Sequence, residues 1–167
     1  MEPPREKALV PPLQFGLVGE GIYRGGYLKP ISAPFIDKLK LNTIVSITPE
    51  PVDLSFISED IRRIHITGGS TDQGKSKKKR GVPVTDELVC QILAIIESPQ
   101  NWPVYVHCIN GQQVTSLVIA CLRMKQQWSL TSAFVEYSRF IDYDRKEVAF
   151  VEWFDQQHCR KDSPLPQ

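Results

Sequence analysis

The chain has 167 residues, 41% of them hydrophobic, and a formal net charge of +1, the composition of one globular domain large enough to bury roughly 68–70% of its unfolded surface. That charge balance leaves no bulk electrostatic drive toward polyanions or lipid, so neither nucleic acid nor membrane is expected as a partner. No apolar stretch approaches the ~20 residues that a membrane helix needs, and Met1-Glu2-Pro3-Pro4-Arg5-Glu6-Lys7 lacks a signal-peptide core. Cys90, Cys108, Cys121 and Cys159 include no C-x-x-C pair, so the expectation is a reduced, cytoplasmic protein without a disulfide framework.

Residues 1–14, rich in proline and charge, read as an extended lead-in to a single domain over 15–158, with a tail at 159–167. Ile22-Tyr23 predicts a short first strand, and Gly25-Gly26 turns the chain. Ser32 ahead of Pro34 suits a helix start with Phe35, Ile36 and Leu39 on the buried face. Thr43 to Ile47 is β-branched and apolar and predicts a central strand, ended by Pro49 and Pro51. A short helix is expected over Asp53 to Glu59, then a strand from Arg63 to Thr67. Alternation of strands with helical segments implies an α/β fold with a mostly parallel sheet of four or five strands flanked by helices.

Residues 68–83 carry no periodicity. They hold Asp72 and the basic run Lys75, Lys77, Lys78, Lys79 and Arg80. The run reads either as a solvated loop, as an electrostatic funnel for a polyanion, or as a nuclear-import signal. Thr85 then offers an N-cap, with Asp86 and Glu87 complementing the helix dipole and Leu88, Val89, Ile92, Leu93 and Ile96 on one stripe. Cys90 falls beside that stripe and reads as structural. Beyond the central segment, Ala133, Phe134, Tyr137, Phe140 and Ile141 form another apolar face, and a last helix is predicted over Lys146 to Gln157. These aromatic stripes read as core. His65, His107 and His158 share no ligand spacing, so neither a metal nor a cofactor is expected.

The chemistry concentrates in Val104-Tyr105-Val106-His107-Cys108-Ile109-Asn110-Gly111-Gln112-Gln113-Val114-Thr115-Ser116, with an apolar run from Leu117 to Leu122 behind it. This is a buried strand, a loop of small and polar residues, and a helix. Such a loop turns the backbone N–H groups of Ile109, Asn110, Gly111, Gln112, Gln113, Val114 and Thr115 toward a common point, where they and the helix dipole favour an anion. The same field favours the thiolate of a cysteine at the loop's start, and a thiolate is a nucleophile. Cys108 occupies that place.

His107-Cys108 followed by Gly111 and Thr115 resembles the Cys-x5-Arg-Ser/Thr signature of cysteine-dependent phosphatases. Gly21-Ile22-Tyr23-Arg24-Gly25, Cys121-Leu122-Arg123, Gln127-Trp128, Glu136-Tyr137 and Phe150-Val151-Glu152 narrow the resemblance. The layout over roughly residues 11–155 is similar to the plant and fungal atypical dual-specificity phosphatases, whose active members cleave inositol pyrophosphates. Within them it looks closest to fungal tyrosine-phosphatase-like proteins of the oxidant-induced cell-cycle-arrest group, lysine-rich insert included. The resemblance implies Cys108 as nucleophile position and His107 as a residue that orients the loop, against the plainer reading of a satisfied strand-end histidine. It also implies a general acid in the loop that follows the preceding strand. Asp72 is the carboxylate available there, against its reading as a simple turn residue. Implied partners are a phosphorylated small molecule or phosphoprotein, and related phosphatase-like proteins.

The departure from the signature lies at the sixth position after Cys108, where Val114 replaces arginine; Gln112 and Gln113 stand where active members carry lysine and histidine. Arginine clamps a phosphoryl group through two charge-assisted hydrogen bonds and stabilises its equatorial oxygens as the bond breaks. Loss of one such electrostatic stabiliser typically costs about 2.7–4 kcal/mol of barrier, or roughly 10²–10³ in rate. The sequence therefore predicts a pseudophosphatase that binds an anion or partner. Two alternatives stay open: a weakly active cysteine-dependent phosphatase with Arg123 or the lysine loop supplying charge, and an anion sensor whose thiol responds to oxidants.

Overall fold

The computed structural model describes residues 2–69 and 81–160. Strand β5, Val104–His107, is the middle strand of a sheet of five, and its side chains divide the core by period-two alternation. Val104 and Val106 face a large apolar cluster on one side, and Tyr105 faces a smaller cluster on the other. Strand β3, Thr43–Thr48, repeats the pattern, with Val45 and Ile47 on the first face and Ile44 on the second. Both strands are buried along their whole length, which is what parallel strands covered on both faces require.

The other strands are β1 (Gly16–Gly19), β2 (Ile22–Gly25) and β4 (Arg62–Thr67), and the sheet order is β1-β2-β5-β3-β4. Pairings β2–β5, β5–β3 and β3–β4 are parallel; only β1–β2 is antiparallel. The fold class expected from the sequence is thus the observed one. The edge strand β1 was not foreseen: Gly16-Leu17-Val18-Gly19 has little strand propensity, and hairpin pairing with β2 holds it in place.

Among the described residues, five helices cover the sheet: α1 (Ala33–Leu39), α2 (Asp86–Ile96), α3 (Gln113–Lys125), α4 (Leu130–Tyr137) and α5 (Arg145–His158). Helices α2 to α5 pack on the large cluster, and α1 closes the small one through Ile36. Thr85 caps α2 as expected, its Oγ1 accepting from the Leu88 N–H at 3.2 Å. Ser32 precedes α1, but its hydroxyl makes no capping bond; a short 3₁₀ turn at Pro30–Ser32 leads in instead.

The helix expected over Asp53 to Glu59 does not form, because its polar groups have other partners. Asp53 Oδ1 accepts from the Ser55 N–H at 2.9 Å, a local turn that competes with helix. Arg63 Nη2 donates to the carbonyls of Leu54, Ile57 and Ser58 at 3.2, 2.7 and 3.3 Å, so carbonyls that a helix would use internally wrap around a guanidinium.

Candidate functional site

Cys108 follows the last residue of β5 directly, at the carboxyl end of the central strand, where open parallel sheets place their ligand sites. The loop Cys108–Gln112 then runs into α3. Gly111 holds the loop close to β2: its φ is 72°, and a Cβ built on it would lie 2.5 Å from the Gly25 carbonyl carbon and the Gly26 nitrogen. Neither left-handed backbone nor that contact tolerates a side chain. The Tyr27 N–H donates to the Ile109 carbonyl at 3.1 Å, fixing the loop's other side. The Tyr105 hydroxyl donates to the Gly26 carbonyl at 2.5 Å and steadies the same turn from below.

His107 is fully buried. Its Nδ1 lies 2.9 Å from the Cys108 carbonyl and its Nε2 lies 2.6 Å from the Ser46 hydroxyl. A carbonyl only accepts, so Nδ1 carries the hydrogen and Nε2 accepts from Ser46. Burial lowers the pKa of the ring to about 4, so the imidazole is neutral. It braces the Cys108 peptide from behind.

Cys108 itself is 3% exposed. Its Sγ stands 3.7 Å from Asn110 Oδ1, and the same oxygen accepts from the Gln112 N–H at 3.0 Å. The Asn110 side chain thus places an acceptor oxygen between the thiol and a loop amide. Thr115, in the first turn of α3, has a buried hydroxyl with no hydrogen-bond partner among the described residues.

The three loop positions that depart from the signature are all turned to structural uses. Gln112 Nε2 donates to the Phe140 carbonyl at 3.4 Å, and Gln113 Nε2 to Glu147 Oε1 at 2.9 Å. Glu147 is buried and completes a capping box with Asp144 at the start of α5, its Oε2 accepting from the Asp144 N–H at 3.0 Å. Val114 is 7% exposed and belongs to the large apolar cluster together with Cys108.

Arg123 does not supply the missing charge. It lies ten residues beyond the start of α3, about 15 Å along the helix axis. There Nε and Nη2 bond the two Glu136 carboxylate oxygens at 2.9 Å each, Nη2 also donates to the Val18 carbonyl, and the guanidinium stacks 4.2 Å over Trp128. Asp72 and the basic residues Lys75, Lys77, Lys78, Lys79 and Arg80 lie outside the described residues.

Among the described residues one cation does reach the loop, and its approach is from β2. Arg24 is 2% exposed; its Nη2 donates to the Gly111 carbonyl at 2.9 Å and to Ser116 Oγ at 2.7 Å, and its guanidinium carbon lies 3.5 Å from the centre of the Phe140 ring. Burial lowers its pKa to about 10, opposed by Glu136 and Cys108, so it remains charged at neutral pH. Sequence reasoning overlooked this residue as a site component. The available signal was an arginine within a strand bounded by glycines, a charge with no obvious route to solvent.

A parallel sheet with a thiol at the end of its middle strand, a glycine-bearing loop and a long helix behind it defines the cysteine-phosphatase-like fold. The family model described as "Tyrosine phosphatase family" matches residues 9–165, and the chain belongs to that family. It is 35% identical over 164 residues to OCA6 of Saccharomyces cerevisiae, which carries a tyrosine-protein phosphatase name, covering 89% of this chain and 72% of that protein. It is 32% identical over 152 residues to the inositol diphosphatase DSP1 of Oryza sativa, covering 90% and 68%. Among solved structures, the core catalytic domain of the PP-IP phosphatase SIW14 from S. cerevisiae, in complex with citrate, superposes with a TM-score of 0.78 at 28% identity over 92% of this chain and 93% of that one. Among the described residues, no helix is long and apolar enough to cross a membrane, and all four cysteines are free.

Proposed function

We propose that the protein is a pseudophosphatase: a phosphatase-like domain that binds a phosphorylated small molecule in the Cys108–Thr115 loop and turns it over poorly or not at all. The observation that carries this reading is Val114. The position that should hold a phosphoryl clamp holds an apolar side chain packed into the core, and among the described residues no cationic side chain takes its place at the mouth of the loop. An oxyanion bound there meets backbone N–H groups and a helix N-terminus, which suffice for binding, but not the fork that stabilises the transferring group. The inositol diphosphatases among the relatives support a ligand of the inositol pyrophosphate class. Association with related phosphatase-like proteins and a cytoplasmic location complete the proposal.

Retention of the thiol supports a second reading, a weak Cys108-dependent phosphatase acting on inositol pyrophosphates or on a phosphoprotein. In it Cys108 attacks phosphorus, and Asp72 is the candidate acid for the leaving group. The two readings separate on kcat/KM for an inositol pyrophosphate and a generic aryl phosphate, measured for wild type and Cys108→Ser. The pseudophosphatase reading expects binding without Cys108-dependent turnover; a robust rate abolished by Cys108→Ser overturns it.

A further inference from the structure

We infer that Arg24 is the positioning cation of this loop, holding its backbone open from behind and supplying the fixed positive charge that Gln112, Gln113 and Val114 no longer provide. The inference rests on the anion-binding reading of the loop and says which residue makes it work.

A buried guanidinium is costly unless an anion compensates it. Among the described residues Arg24 forms no ion pair. The acid that influences it most, Glu136, is already held by Nε and Nη2 of Arg123. Its Nη2 is used on Gly111 and Ser116, while Nε and Nη1 are buried without hydrogen-bond partners. The Phe140 face satisfies part of the charge. What the site leaves over is one positive charge against the back of an anion cradle, beside a thiol whose ionised form would balance it.

The position also explains the loop's shape. Nη2 holds the Gly111 carbonyl toward β2 while the N–H of the same peptide, on Gln112, is taken by Asn110 Oδ1 on the Cys108 side, and the bond to Ser116 ties the guanidinium to the first turn of α3. One residue therefore joins the strand, the loop and the helix. Arg24 is 2% exposed, so it does not touch a ligand; it acts through the loop peptides and through its field, which low-dielectric surroundings screen weakly.

The test uses the whole chain with Arg24→Met and Arg24→Lys. One readout is inorganic phosphate binding, followed by amide NMR shifts of residues 109–115; the other is the pH midpoint of Cys108 alkylation by iodoacetamide. Arg24→Met is expected to weaken phosphate about tenfold and to raise the alkylation midpoint by about one pH unit, the equivalent change in thiolate stability. Arg24→Lys, which keeps the charge and loses the fork, is expected to retain most of the wild-type midpoint while binding phosphate less tightly. A folded Arg24→Met with wild-type affinity and midpoint overturns the inference. Should Arg24→Met fail to fold, Arg24→Lys decides: a folded lysine variant with its midpoint raised by a full unit shows that charge at this place is not the agent. If the wild type takes up no phosphate at tens of millimolar, the anion-site reading fails, and the alkylation midpoints still decide the role of Arg24.

Discussion

Val114 leans on Gly69: a Cβ built on Gly69 would lie 3.0 Å from Val114 Cγ2. Gly69 has a φ of +66°, and the segment leaving β4 passes close over the residue that replaces the signature arginine. An arginine at 114 must leave the apolar cluster and displace that backbone. Val114→Arg alone is therefore expected to yield no measurable hydrolysis of an inositol pyrophosphate. The triple change Gln112→Lys, Gln113→His, Val114→Arg should yield more than the single one, since groups acting as a unit are strongly non-additive. Here Gln113→His also gains a favourable neighbour in Glu147, which now accepts from Gln113. Comparison of kcat/KM for both variants, each with a Cys108→Ser control, checks this; full activity in the single variant would show that the loop has diverged less than its contacts imply.

Asn110 competes with any incoming anion. Its Oδ1 takes the Gln112 N–H, a donor that an oxyanion would otherwise use. Asn110→Ala should therefore tighten phosphate binding a few-fold, in line with about 1 kcal/mol for one displaced hydrogen bond. Titration of both proteins under identical salt gives the answer, and weaker binding in the variant would mean that the carboxamide shapes the loop more than it blocks it.

Cys108 should label first among the four thiols. Burial raises the pKa of Cys121 far above the ordinary thiol value, and burial with help from nearby carboxylates raises that of Cys90 and pushes that of Cys159 up to about 11. Cys108 opens the loop that runs into α3, and its Sγ meets the neutral Asn110 carboxamide rather than a carboxylate. Peptide mapping after brief iodoacetamide treatment at pH 7 should find modification at 108; faster labelling of Cys90 would contradict this.

His107 makes the fold acid-sensitive. Its folded pKa is about 4, below the ordinary value of about 6.5, so the unfolded chain binds a proton that the folded chain refuses. The stability of the neutral ring is fully present above about pH 6.5 and drains away as pH falls toward 4, by up to roughly 1.4 kcal/mol per pH unit and about 3 kcal/mol in all. Urea midpoints between pH 7 and 4 should show this decline, and His107→Gln should be less stable at pH 7 but flatter in its pH dependence.

What the sequence made legible was local. Strand, loop and helix around Cys108, the cap at Thr85 and the last helix all rest on contacts within a few residues, and hydrophobic period and capping chemistry reveal them. What it concealed was long-range. The link from Arg24 to Ser116 spans 92 positions; the failed helix at 53–59, by contrast, is a local miss, undone by a guanidinium six residues beyond Ile57. The readings of Gln112 and Gln113 captured the lost charge but not the polar contacts with Phe140 and Glu147 that now hold these side chains.

The order of synthesis and the order of the sheet disagree. The middle strand, β5, is the last of the five to leave the ribosome. Until it arrives, the hairpin β1–β2 and the pair β3–β4 are separate ribbons, each with an open edge that residues 104–107 fill in the fold. Closing the sheet waits on contacts about 60 and about 80 residues apart, which slows folding, and unfilled edges invite other chains. A chain stopped at residue 103 should thus aggregate where the full chain stays in solution, as sedimentation after matched expression would show; a soluble, monomeric fragment would mean that the two ribbons find another partner. The strand that presents the thiol is also the keystone that lets the two halves meet.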